Sequence, residues 1–378
     1  FINALEFTAN PMGITSVTLA PGTLASNTLT IAPASSTEGI DVADNAGAIT
    51  ISAPVVVGAA QTWNVAGTGA NGSSLTLSGT VSGTSNLVKL GAGILTLSGD
   101  FTGFSGGIAI NGGLVNVART GTFTMSNLIT GTGSLTKSGT GIMTLNNNAN
   151  SFAGDVTLSG GTLEFTTVTD IGGAASSLGQ GGGITLSGGT LSFIGGTSQS
   201  TNRLITTTAS STLSANGTSG ASITYSGAIT QATNNALTLT GTAGSEGVIT
   251  GGITHLGTAA DLNVNSGTWT LSGTASIIAD DVIVTGSSAV LNLNSTGVLT
   301  GIAGNTTSNG LYARTGATIN LNAANAYGSG LEFILLGDNS VGGATLNTNT
   351  HNITTPRLDL GQGTSGFTAS IIGSGTVT

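Results

Sequence analysis

The side chains able to do chemistry are few: six Lys or Arg, fifteen Asp or Glu, two His and no Cys in 378 residues. A polysaccharide-cleaving site needs several carboxylates, usually beside a basic residue, converging on one groove. Asp280 and Asp281 are adjacent, so on a strand they would face opposite sides. Glu38, Asp41 and Asp44 form the densest acidic cluster. Such an oxygen set suits Ca²⁺, but the Gly-Gly-x-Gly-x-Asp pattern of calcium solenoids is missing, and the cluster reads as a solvated loop. Glu332, Asp338 and Asp359 stand alone and read as surface charges. His255 and His351 are 96 residues apart and read as turn histidines rather than a catalytic pair. Lys89 and Lys137 fit outward side chains that bond loop carbonyls and discourage edge pairing.

Trp63 and Trp269 each sit in an alternating segment, which favours packing in the core or at an edge over stacking on a sugar. Gly181, Gly182 and Gly183 are not followed by a helix with Lys-Ser/Thr, so they make no phosphate loop. Sequons at 71–73 and 305–307 are expected by chance in so Thr-rich a chain. Thr-x-Thr pairs at 28/30, 238/240 and 268/270 fit an ice-matching face, but not at one constant rung period. The expectation is a non-enzyme with no catalytic, cofactor-binding or metal-ligating residue and no cofactor.

The elements that carry these residues are short. Leu75-Thr76-Leu77, Leu95-Thr96-Leu97, Val156-Thr157-Leu158 and Leu291-Asn292-Leu293 each put two aliphatics on one face and a small polar residue on the other. Gly, Asn and Ser follow at once, as in Ser98-Gly99 and Ser159-Gly160-Gly161, and mark turns. One residue in six is Gly (63 in all), while charged residues make up 6% against the ~25% usual in soluble domains. That balance excludes disorder driven by charge, helix bundles and disulfide scaffolds. A net charge of −9 without a basic run excludes a nucleic-acid binder. No stretch reads as ~20 consecutive apolar residues, so no membrane-spanning helix is expected.

Segment 87–117 aligns without a gap on 135–165, 48 residues on, with 11 of 31 positions identical. Among the identities are Lys89/Lys137, Gly91/Gly139, Phe104/Phe152 and Gly113/Gly161. A shorter echo, Gly-Gly-Thr-Leu, recurs at 160–163 and 188–191. Similar strands with variable loops predict an all-β, right-handed parallel β-helix, a β-solenoid. At ~20 residues per coil and ~4.8 Å per rung, 1–378 would be one elongated domain of about 19 coils, roughly 90 Å long.

These segments resemble the passenger-associated transport repeat, also called the autotransporter-associated β-strand repeat. Lys137-Ser138-Gly139-Thr140-Gly141-Ile142-Met143-Thr144-Leu145 carries its first part, and Asn150-Ser151-Phe152-Ala153-Gly154 its turn. Gly160-Gly161-Thr162-Leu163 carries its end. In the other copy Asp100-Phe101 replaces the Asn-rich turn. The resemblance implies an exported bacterial β-helix, extracellular or on the cell surface, and no particular activity. Segment 371–378 follows the pattern of 129–136, and 4–8 that of 162–166, so the chain starts and stops inside repeats. The expectation is a solenoid without terminal caps, a segment or repeating subunit of a longer assembly that continues axially past both ends. The function expected is that of a non-enzymatic structural protein of a surface adhesin or filament. Self-association end to end or laterally, and contact with glycans or other cell surfaces, are its expected partnerships. A polysaccharide-degrading β-helix enzyme, lyase or hydrolase, is the alternative.

Overall fold

The computed structural model describes the chain except residues 10–15, 23–26, 35–36, 68–71, 233, 256–260, 274–276, 297, 302–308, 327–330, 338–342, 353, 356 and 362–367. Among the described residues every regular element is a strand, two to five residues long. Strand pairs are parallel wherever the pairing is described. The protein is an all-β parallel β-solenoid. It divides into two compact units, Phe1–Gly183 and Ile184–Thr378.

In the first unit the chain cycles through three faces. Gly103–Phe104, Ile108–Ile110 and Leu114–Val117 make one such pass. Each strand pairs with the strand one coil away: Leu95 with Leu75 and Val115, Leu87 with Gln61 and Ile108. The second unit cycles in the same manner through Thr190–Phe193, Gln199–Thr201 and Ile205–Ala209.

Alternation builds the core. In Ser74–Leu77 and Ile142–Leu145 every second residue is buried. Successive rungs therefore stack like on like, as with Ile49, Leu75, Leu95, Val115 and Leu135, none more than 1% exposed. Burying one Leu side chain contributes about 1.5–3 kcal/mol, and here each is covered by an aliphatic neighbour above and below. Corners are glycine positions. Gly91 has φ +74°, and a Cβ there would lie 2.2 Å from the Val65 carbonyl oxygen. Gly161 has φ +65°, with Gly141 O 2.3 Å from the site of a Cβ. Only glycine allows the coils to approach this closely in that conformation.

The coil count differs from the expected 19: the structure makes about 12 turns. The coils are longer and less uniform than ~20 residues. Leu95 to Val115 is 20 residues, Ile229 to Ile253 is 24, Leu291 to Ile319 is 28 and Leu5 to Ile40 is 35. Loop insertions lengthen the path between faces without changing the rungs.

The two sequence repeats occupy different faces. Leu87–Leu90 belongs to the face of Ile108–Ile110, whereas its counterpart Ser134–Lys137 pairs with Leu114–Val117 and Val156–Leu158. A spacing of 48 is two coils plus one step around the cycle. The same pattern thus serves any face, because each corner asks for the same glycines and each strand for the same alternation.

Candidate functional site

Lys89 and Lys137 point inward, not outward: they are 0% and 1% exposed. Alternation explains it. Leu87 is inward and Val88 outward, so Lys89 is inward again; Leu135 sets the same parity for Lys137. The methylene stem packs with the core and the ammonium reaches the corner. Lys89 Nζ donates to the carbonyls of Leu90 (2.7 Å), Gly91 (2.9 Å) and Gly112 (3.3 Å). Lys137 Nζ donates to Gly139 O and Gly160 O, the latter at 3.3 Å. In both copies the acceptors include the residues two and twenty-three places on, so one ammonium joins two coils. Burial pushes the Lys89 amine down to about 8 and lowers that of Lys137. The expected bonds to loop carbonyls are present, from inside the core.

Outward positions form files. In the first unit Thr18, Thr50, Thr76, Thr96, Asn116, Thr136 and Thr157 stand in register across seven rungs. Sequence spacing hid this file, because backbone pairing aligns the rungs whatever the coil length. In the second unit Asn292, Asn320 and Asn347 form an amide ladder at 2.8 and 3.2 Å. Asn294, Asn322 and Asn349 form another, each bond 2.7 Å. The files themselves offer hydroxyls and amides for many weak hydrogen bonds, with Glu246 next to the Asn292 ladder through Thr270.

The carboxylates fall out differently from expectation. Asp280 and Asp281 lie between the strands Ile277–Ala279 and Val282–Thr285, in a corner, so strand alternation does not separate them. Asp261 precedes Leu262, the rung partner of Val282, and so occupies the same corner one coil away. Asp281 Oδ1 accepts from Gly310 N at 3.0 Å. Burial raises the Asp281 carboxyl to about 6; the Asp280 and Asp261 carboxylates push the same way, against the Gly310 bond and Arg314. Burial also raises Asp261, and burial together with Asp281 raises Tyr312 to about 12. The Arg314 guanidinium lies 4.4 Å from the Tyr312 ring centre. Three carboxyls, a Tyr and an Arg are thereby gathered in the second unit, and a carboxyl held near 6 is suited to proton transfer.

The remaining candidates stay apart. Asp41 accepts from Asn64 Nδ2 at 2.7 Å, Asp44 is met by Asn45, and Glu38 is exposed. Among the described residues no group of three His, Asp or Glu is placed to hold a metal. Asp359 is not isolated, since Arg357 pairs with it at 2.9 Å; Glu332 is exposed. Asp338 and the sequon residues Asn71 and Asn305 to Thr307 lie outside the described residues.

His255 is a strand residue stacked on Gln231, itself stacked on Thr207. Burial lowers its imidazole to about 4. His351 lies in a turn, its N–H bonded to Thr348 O. Trp63 and Trp269 are fully buried, their indole N–H groups donating to Gln61 Oε1 (2.9 Å) and Thr240 O (3.0 Å). Neither offers a ring face to a ligand.

No curated protein and no solved structure matches the chain. What does match is the family model of the passenger-associated transport repeat, over residues 87–117 and 135–165, the two segments whose lysines close the corners described above.

Proposed function

We propose that the chain is a non-enzymatic structural segment of a bacterial passenger-type protein, exported and displayed at the cell surface or outside it. The observation that carries this reading is the pair of matched passenger repeats, set in a parallel solenoid whose strands bury mostly aliphatic side chains. Its part is mechanical. Stacked parallel ladders resist bending and pulling along the stacking direction, and the uncharged Thr and Asn files make it an adhesive coat. Glycans or other cell surfaces are the partners such files suit, and lateral or end-to-end self-association would turn single chains into filaments. Electron microscopy of the purified chain and of material shed by the producing cells tests assembly. Regular filaments a few nanometres wide are expected; dispersed single particles in both samples would contradict self-association.

A second reading, a polysaccharide-cleaving enzyme, is favoured by one observation: the gathering of Asp261, Asp280 and Asp281 beside Arg314. It predicts release of reducing or unsaturated sugar ends from some polysaccharide, lost in Asp281→Asn. The structural reading predicts no release across a polysaccharide panel.

A further inference from the structure

The interior of the second unit carries three polar side chains in a row. They end three successive rungs of one face, in the strands Ile205–Ala209, Ile229–Gln231 and Ile253–His255. Thr207 pairs with Gln231, and Gln231 with His255. Two residues earlier on the same strands Ile205, Ile229 and Ile253 stack as an aliphatic file, all 0% exposed. Alternation therefore turns Thr207, Gln231 and His255 inward as well. Leu186, the partner of Thr207 on its other side, is buried too. The polar file is set among aliphatics.

Thr207 and Gln231 are 0% exposed, and both ring nitrogens of His255 are shut off from solvent. Gln231 Nε2 donates to Asn235 O at 3.1 Å. Among the described residues nothing bonds Thr207 Oγ1, Gln231 Oε1, His255 Nδ1 or His255 Nε2. Orphaned polar atoms on three consecutive rungs are costly in an aliphatic interior. The Asn ladders of the same unit make the contrast. Identical side chains lean alike there and bond directly from rung to rung. Thr, Gln and His differ in length, and their polar atoms do not meet.

The chemistry of these atoms defines what satisfies them. Gln231 Oε1 only accepts, whereas the Thr207 hydroxyl does either. Burial pulls the His255 imidazole down to about 4, so at neutral pH one ring nitrogen donates and the other accepts. The ligand must therefore donate and accept at once. It must be uncharged, since the file holds no carboxylate to balance a cation. It must also be small. Neighbouring rungs are ~4.8 Å apart, and two atoms at that separation are spanned by one oxygen about 2.8 Å from each. Water meets all three demands. We propose that Thr207, Gln231 and His255 form an interior hydration site, in which waters bridge Thr207 to Gln231 and Gln231 to His255 and so join three coils from within.

Magnetic relaxation dispersion of water oxygen on the whole chain detects water held for longer than the protein tumbles. A Thr207→Val/Gln231→Leu/His255→Leu variant continues the aliphatic file of Leu186 and removes every polar atom of the site. The dispersion amplitude should fall in this variant by at least one water molecule. Thr206→Val, at the exposed neighbouring position, should leave it unchanged. If the triple variant does not fold, a crystal structure of the wild type decides. A water within about 3.2 Å of both Gln231 Oε1 and either Thr207 Oγ1 or a His255 nitrogen is then expected. An amplitude unchanged in a folded triple variant would overturn the proposal. So would a crystal in which the three side chains bond one another or the file is dry, or an anomalous signal marking a cation in place of water.

Discussion

At the scale of single residues, Lys89 and Lys137 carry the most information. A buried ammonium is costly unless its protons are all bonded, and Lys89 meets that demand with three corner carbonyls. Lys89→Met keeps the stem and removes the donors, leaving those carbonyls unpaired. It should cost about 1–3 kcal/mol at neutral pH, read by urea unfolding. The amine also sets a pH signature. Its folded value near 8 lies below the ordinary 10.5, so between these values the unfolded chain holds a proton that the folded chain lacks. Stability contributed by Lys89 therefore rises with pH across that window, and the gap between wild type and Lys89→Met should widen from pH 8 to pH 10. A gap that stays constant across that window would show the amine to be solvated, and one that narrows would show its value raised rather than lowered by folding. The inward direction of Lys89 was legible in its parity with Leu87; the usual preference of lysine for solvent argued the other way and was overruled by three accepting carbonyls. The gathering of Asp261, Asp280 and Asp281 was not legible. It depends on a corner between strands and on residues 20 apart meeting one coil on.

At the scale of elements, period-2 alternation decided nearly everything. Leu-Thr-Leu with a following glycine is a strand and a corner, and no other reading accounts for both the aliphatics and the glycines. Coil number was not legible, because loops of different length connect rungs that align through backbone bonds alone. For the same reason the Thr file appears only in the structure. It gives a direct distance: Thr50 and Thr136 are four rungs apart through Thr76, Thr96 and Asn116. At ~4.8 Å per rung their Cα atoms should be about 19 Å apart. The chain has no Cys, so a Thr50→Cys/Thr136→Cys variant takes spin labels at those two sites only. Pulsed electron resonance should give a single distance near that value once label length is allowed for; a broad distribution centred well beyond it would contradict the register.

At the scale of the whole molecule, the matched repeats and the parallel solenoid are what support the proposal of an exported structural protein. On that proposal, the hydroxyl and amide files would meet neutral partners at many points. That claim stands or falls on where the protein resides. Ser78 is exposed on the first unit and residues 1–378 hold no thiol, so Ser78→Cys adds one addressable site to them, read against the unsubstituted protein. Intact producing cells carrying this variant, treated with a membrane-impermeant maleimide, should label the protein as fully as lysed cells do. Labelling that appears only after lysis would contradict surface display and the structural role proposed for the chain.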